Sequence, residues 1–238
     1  MQESRTVLIT GGASGIGAAT TRRLLDSGHR VAVTGRDEAR LRTFASELAQ
    51  PDRLLALPGD AVIYDEVRLA VDRTLERFGR LDAVVANAGF STHDTLATGD
   101  PERWREMVLT NVLAPALLVK AALPALKAAR GRIVFVGSVA GLKNTPGNMY
   151  SVTKWAITGL AENTRLLVTG DGIGVTLIAP GRVSTPFWAG RPAGTRDGAP
   201  EGPILSPENV ADSIVWALGQ PAGVDINTVV VRPVGQTA

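Results

Sequence analysis

The chain has 238 residues, 45% of them hydrophobic, and sets 25 Lys and Arg against 23 Asp and Glu for a formal net charge of +2. That is ample apolar material for one substantial core, and arginines scattered without run or stripe argue against nucleic acid as a partner. Cysteine is absent and the two histidines, His29 and His93, lie far apart, which excludes disulfides, thiolate catalysis and Cys-ligated clusters and leaves no metal expected.

Apolar runs alternate with longer amphipathic stretches, the pattern of a parallel sheet covered by helices on both faces. Thr6-Val-Leu-Ile-Thr10 reads as the first strand, and a helix follows over residues 15–27 with Gly28 at its C-cap. Strands at 31–34, 53–57 and 82–86 enclose helices at 38–48 and 63–78. Helical pattern then covers 101–129, with a break expected near Pro115. A fifth strand at 132–136, a helix at 150–168, a sixth strand at 174–178, a helix at 208–218 and a seventh strand at 228–231 complete the alternation. Short strands filled with Val, Ile and Leu suit positions buried on both faces. The expected fold is therefore α/β: residues 1–238 as a single doubly wound, Rossmann-type domain with a seven-stranded parallel sheet. Residues 186–207 break the rhythm with Gly and Pro, and irregular segments of that length are usually lids or binding loops. No apolar run reaches the roughly 18–20 residues of a membrane span, and Met-Gln-Glu-Ser-Arg leads straight into a strand without a secretory segment. A cytoplasmic protein with no membrane partner is expected.

The turn after the first strand is Thr10-Gly-Gly-Ala-Ser-Gly-Ile-Gly17. Between a strand and its helix, such a turn aims backbone N–H groups and the helix dipole at a pyrophosphate. Gly11 allows the sharp turn, Gly15 the close approach of backbone, and Gly17 tight helix–strand packing; Ser14 and Ile16 lie between them. The second strand ends in Gly35-Arg36-Asp37. A carboxylate at that tip would accept the ribose hydroxyls of NAD, whereas glycine followed by arginine admits a 2′-phosphate, so NADP(H) is preferred over NAD(H). Asp37, one position further, suits the cap of the next helix.

Further along, Tyr150 and Lys154 stand at i and i+4 on one helix, and so share a face. Ser138 lies upstream, after the fifth strand. A phenol has a reference pKa near 10. A cation at about 4 Å contributes roughly 4 kcal/mol at an effective dielectric near 20, which would bring that pKa to about 7 and make an efficient proton donor and acceptor.

Together these residues resemble the short-chain dehydrogenase/reductase family over nearly the whole chain. The match rests on Thr10-Gly11-x-x-x-Gly15-x-Gly17, Asn87-Ala88-Gly89 after the fourth strand (Ala86 standing where a further Asn often precedes), Asn111, Ser138, Tyr150-x-x-x-Lys154, and Pro180-Gly181 with Thr185 beyond. The resemblance implies an NADP-dependent oxidoreductase acting on CH–OH groups, as in carbonyl reductases and alcohol dehydrogenases. It implies that Ser138 hydrogen-bonds the substrate oxygen, Tyr150 exchanges a proton with it, Lys154 holds the nicotinamide ribose, and Asn111 positions a relay water. On the cofactor side it implies Asp60 and Ala61 near adenine, Asn87, Ala88 and Gly89 beside the adenosine, and Pro180, Gly181, Val183 and Thr185 near the carboxamide and phosphates. Family members are commonly homotetramers or homodimers paired through helices matching 116–129 and 150–168 here.

The substrate pocket is expected from Phe90, Val139, Lys143, Asn144, Met149, Arg182, Phe187 and Trp188, with Leu142 and Asn148 nearby. Apolar walls with few polar groups suit a ketone, an aldehyde or a secondary alcohol. Arg182 could instead pair with a carboxylate, which would favour a 3-hydroxy acid or hydroxy amino acid. Two other readings are weaker. A nucleotide sensor that keeps the fold without turnover has no need of Ser138, Tyr150 and Lys154, and the glycine spacing speaks against a nucleotide-sugar epimerase. His93, in the loop after the fourth strand, reads as an ordinary loop histidine.

Overall fold

The computed structural model describes residues 4–188 and 202–236. Seven strands, β1 (Thr6–Thr10), β2 (Arg30–Gly35), β3 (Leu54–Pro58), β4 (Ala83–Ala86), β5 (Arg132–Val136), β6 (Gly174–Pro180) and β7 (Thr228–Val231), form one sheet. Their order is β3-β2-β1-β4-β5-β6-β7 and every pairing is parallel. The helices are α1 (Gly15–Asp26), α2 (Glu38–Leu48), α3 (Tyr64–Phe78), α4 (Pro101–Val108), α5 (Ala114–Ala129), α6 (Met149–Val168) and α7 (Pro207–Leu218).

Side chains alternate across a strand with period two, and here both sets are apolar. Leu8, Ala32, Val84, Ile133, Phe135, Val175 and Leu177 face α3, α5 and α6, where Val67, Leu118, Ala122, Leu126 and Ile157 meet them. Val7, Ile9, Val31, Val33, Val85, Val134 and Ile178 face the other way, onto Leu24 and Leu25 of α1, Leu41 of α2, and Val210 and Ile214 of α7. Two cores back to back fix the central strands in place and make the fold doubly wound.

Element ends follow local chemistry. Asp37 caps α2, its carboxylate accepting from the Arg40 amide at 2.9 Å. Ser27 is the last capping residue of α1, and Gly28 follows at φ +82° to turn the chain into β2. The break expected near Pro115 falls one turn earlier, where Leu109–Leu113 is wound as a π-helix. Proline has no N–H to give the carbonyl four residues back, that of Asn111, so the looser turn sits just upstream of Pro115 and at the position of Asn111. The run Pro101–Ala129 is also, by length and composition, apolar enough to cross a membrane, which the reading of the sequence did not anticipate. In the fold it lies along the sheet, burying Ala114, Pro115, Leu118, Val119, Ala122 and Leu126.

Strand order reverses direction between β1 and β4, which leaves a crevice at their carboxyl ends. The glycine-rich turn leaves β1 there and Asn87-Ala88-Gly89 leaves β4.

Candidate active site

The two lips of the crevice are bolted together by a set of hydrogen bonds. The amides of Asn87 and Ala88 donate to the Thr10 hydroxyl oxygen at 3.1 and 3.2 Å. Asn87 Nδ2 donates to the carbonyls of Thr10 and Gly11 at 2.9 and 3.2 Å. This leaves no room for a side chain at Gly17: a Cβ there would overlap the Gly11 carbonyl and stand 2.6 Å from Asn87 Nδ2. Gly15 lies in the left-handed region at φ +48°, with Thr185 close against it. Helix α1 begins beyond Ser14 with no side-chain cap and no acid in its first turn, so its N-terminal amides remain available to an anion.

A cleft of about 610 Å³ runs from this turn along the carboxyl ends of the strands. At one end Gly35, Arg36, Asp60 and Ala61 line it; in the middle Gly11, Ser14, Gly15, Ile16, Asn87, Ala88 and Gly89; at the far end Ser138, Tyr150, Lys154, Pro180, Gly181, Val183 and Thr185. Phe90, Val139, Lys143, Arg182, Phe187 and Trp188 complete the far wall. Residues separated by most of the chain thus share one concavity. Gly17 is absent from the lining because its role is packing.

Four positions expected at the substrate pocket fall elsewhere, Leu142 among them, which is absent from the cleft lining. Asn144 is exposed and Met149 is the first residue of α6, and neither lines the cleft. Asn148 caps α6, accepting from the Ser151 amide at 2.7 Å, and donates from Nδ2 to the Asp94 carbonyl. Of the irregular stretch 186–207, residues 189–201 lie outside the described structure; Pro186–Trp188 forms a short 3₁₀ turn. The sequence reading also passed over several lining residues, among them Arg40, Gly59, Thr110 and Gln236. Arg40, in the first turn of α2, sits 3.8 Å from Asp37 three residues before it, a spacing visible in the sequence. Gln236 reaches the cleft from the far C-terminal segment, its Oε1 accepting from the Arg182 amide at 2.9 Å, and nothing local in the sequence announces it.

At the far end, Ser138 leaves β5 and its hydroxyl oxygen accepts from the Ala140 amide at 3.1 Å. Its hydroxyl also hydrogen-bonds the Tyr150 phenol. Lys154 is buried, and its Nζ donates to the Val136 carbonyl at 3.0 Å while standing 5.6 Å from the centre of the Tyr150 ring. Asn111, 1% exposed, donates from Nδ2 to the Phe90 carbonyl and the Thr153 hydroxyl and accepts at Oδ1 from the Phe90 amide. It lies behind the cleft, not in its wall.

The electrostatics differ from the simple pairing expected of Tyr150 and Lys154. Burial pushes the Tyr150 phenol up to about 12, with the Ser138 hydrogen bond pulling the other way, and brings the Lys154 ammonium down to about 8. Removal from water disfavours the charged form of each group. In this arrangement it outweighs the attraction that would have brought the phenol near 7. Tyr150 is therefore a protonated donor at neutral pH, and Lys154 is still mostly charged.

Phe187 packs on Tyr150 with ring centres 5.3 Å apart, and Trp188 stands edge-on to Phe187 at 5.2 Å. Among the described residues no group of three or more His, Cys, Asp or Glu side chains is placed to hold a metal.

A seven-stranded parallel sheet in this order, with its cleft at the switch point, defines a doubly wound, Rossmann-type α/β protein. A family model described as short chain dehydrogenase matches residues 5–195, and the chain belongs to that family of oxidoreductases. It is 31% identical over 236 residues to an uncharacterised oxidoreductase of Staphylococcus saprophyticus, covering 98% of each chain. It is 35% identical over 226 residues to the L-fucose dehydrogenase of Mus musculus, covering 92% of this chain and 79% of that one. In structure it is similar to the alcohol dehydrogenase of the archaeon Thermococcus sibiricus complexed with 5-hydroxy-NADP, with a TM-score of 0.88, 29% identity and 99% of each chain covered.

Proposed function

We propose that the protein is an NADP(H)-dependent oxidoreductase that interconverts a ketone or aldehyde with its alcohol. The observation that carries this reading is the single cleft, which brings a glycine-rich helix start and Arg36 to one end and Ser138, Tyr150 and Lys154 to the other. The residues suit a dinucleotide: the uncapped start of α1 and the bare backbone at Gly15 accept a pyrophosphate. Arg36 is exposed at the tip of β2 and forms no ion pair among the described residues, so its guanidinium is available for a 2′-phosphate. Asp60 and Ala61, at the end of β3, would flank the adenine, and Asn87, Ala88 and Gly89 the adenosine; Pro180, Gly181, Val183 and Thr185 would hold the carboxamide end.

When bound, the nicotinamide supplies or accepts the hydride. The chain's own residues then manage the oxygen. Ser138 donates a hydrogen bond to the carbonyl oxygen and so stabilises the charge that develops on it. Tyr150 delivers the proton to that oxygen in reduction and receives it in oxidation. Lys154 places a positive charge beside the phenol and a donor toward the nicotinamide ribose. Asn111 supports the proton path from behind, through the π turn at 109–113.

Phe90, Val139, Phe187 and Trp188 give the substrate side apolar walls, which supports a neutral carbonyl compound. The mouse relative named an L-fucose dehydrogenase supports oxidation of a CH–OH group. A second reading, a hydroxy acid or hydroxy amino acid substrate, rests on Arg182 in the same wall. A panel of ketones, aldehydes, sugars and hydroxy acids, followed at the nicotinamide absorbance band with both cofactors, tests these readings; no turnover of any carbonyl or alcohol would refute the assignment. We further propose a homodimer or homotetramer paired through α6, whose Val152, Trp155, Leu166 and Leu167 are exposed. Light scattering that found a monomer at micromolar concentration would exclude it.

A further inference from the structure

His93 does not line the cleft, yet it is tied to the residues that do. Its Nε2 lies 2.9 Å from the Phe187 carbonyl oxygen, so that nitrogen carries the proton and donates. Its ring stands edge-on to Phe187 at 5.1 Å and stacks on Trp188 at 5.5 Å, with the planes 21° apart. Phe187 in turn covers the Tyr150 ring. The His93 backbone is held at φ +57°, a region that a residue other than glycine occupies when its surroundings fix it.

Those surroundings are a loop tied down by hydrogen bonds. The His93 amide donates to the Ser91 hydroxyl at 3.0 Å. Asp94 accepts from the Thr92 hydroxyl at 2.7 Å and from Trp104 Nε1 of α4 at 3.0 Å. The Leu96 amide donates to the Gly147 carbonyl at 2.8 Å, which fastens the loop to the segment preceding α6. On the other side, Trp188 Nε1 donates to the Val183 carbonyl at 2.7 Å, anchoring the 3₁₀ turn to the end of β6. His93 is the joint between these two anchored pieces.

We propose that His93 is a positioning residue of the substrate wall: it clamps the turn 186–188 so that the Phe187 ring stays over Tyr150. The clamp rests on the reading of Tyr150 as the proton donor. It acts through Phe187, and its effect falls on carbonyl binding and not on the cofactor.

The test compares the wild type with His93→Phe, which keeps an aromatic ring but loses the donor, and His93→Gln, which keeps a donor near the same place. His93→Ala serves as a second removal variant should the phenylalanine fail to fold. Hydrogen exchange of the amides of Ser184, Thr185, Phe187 and Trp188 is measured first, and needs no turnover. Loss of the donor should speed that exchange about tenfold, the consequence of one partly buried hydrogen bond. Steady-state kinetics follow, with acetophenone, cyclohexanone and 2-octanone as probes. In His93→Phe, KM for the ketones that the wild type reduces should rise five- to tenfold, while kcat changes less than threefold and NADPH affinity stays put. His93→Gln should recover most of both losses. Unchanged exchange in the removal variants overturns the clamp, and so does faster exchange with unmoved KM, or a glutamine variant no better than phenylalanine. If the wild type reduces no carbonyl at all, the reaction assigned above fails, and the exchange measurement still decides whether His93 holds the turn.

Discussion

Lys154 gives one of its three donors to the Val136 carbonyl, 3.0 Å away, at the end of the strand that also delivers Ser138. The ammonium is thereby held at a fixed height below the Tyr150 ring, by the sheet itself. Burial brings its pKa to about 8. Since kcat/KM reports the ionisations of the free enzyme, reduction measured that way should fall as pH rises through about 8, when the charge is lost. In Lys154→Arg the guanidinium keeps its proton throughout the accessible range, so the residual activity should show no such limb. An unchanged alkaline limb in that variant would take Lys154 out of the proton chemistry.

The same two groups affect stability with opposite sign. The unfolded lysine holds its proton to about pH 10.5 and the folded one to about 8, so between these values the unfolded chain binds more protons and the Lys154 contribution rises with pH. Tyr150 reverses this: folded it keeps its proton to about 12, unfolded to about 10, so its contribution falls as pH rises from 10 toward 12. Urea unfolding of Lys154→Met against wild type between pH 7 and 10.5 should show a difference that narrows as pH rises.

Tyr150→Phe keeps the ring against Phe187 and removes only the hydroxyl bonded to Ser138. NADPH binding, followed by fluorescence, should stay within about twofold, while the rate of carbonyl reduction should fall about 10²- to 10⁴-fold, the usual worth of a positioned acid. Near-normal turnover would show that another group moves the proton.

Arg36 and Arg40 line the same end of the cleft but differ in their partners. Arg40 faces Asp37 at 3.8 Å, while Arg36 has no acid beside it among the described residues. Arg36→Ala should therefore weaken NADPH by more than about tenfold with little effect on NADH, a charge-assisted bond being worth about 1.5–3 kcal/mol. Arg40→Ala should cost less. Equal losses, or no change in the NADPH/NADH ratio, would contradict the phosphate assignment.

Gly17→Ala would force a methyl into the Gly11 carbonyl and Asn87 Nδ2. An overpacked site of this kind costs about 1–3 kcal/mol. Both thermal stability and NADPH affinity should drop, since the displaced carbonyl belongs to the turn that would hold the pyrophosphate. A variant with wild-type melting and binding would show that the crevice relaxes more freely than its hydrogen bonds suggest.

Much of this was legible in the sequence because it was local or repetitive. The alternation of Val-rich strands with amphipathic helices gave the sheet and its layers, and the glycine-rich turn, Asn87-Ala88-Gly89 and Tyr150-x-x-x-Lys154 each declared themselves by spacing. What stayed hidden depends on burial or on distant chain. The phenol's environment follows from how deeply α6 packs against β6 and the turn at 139–141, which no spacing reveals. Gln236 enters the cleft across more than fifty residues from Arg182, and Arg40 was passed over because a helix-start arginine looks like any solvated one. Asn144 and Met149 were misplaced for the converse reason: proximity in sequence to Tyr150 does not decide which side of a loop faces the cleft.

The Thr10 hydroxyl, held by two successive amides from across the crevice, makes the ends of β1 and β4 a single piece of scaffolding. A dinucleotide arriving there would have little left to organise, so its affinity would carry a small ordering penalty. Selectivity for the reacting partner can then drift through changes in the aromatic wall opposite, with the coenzyme berth left untouched.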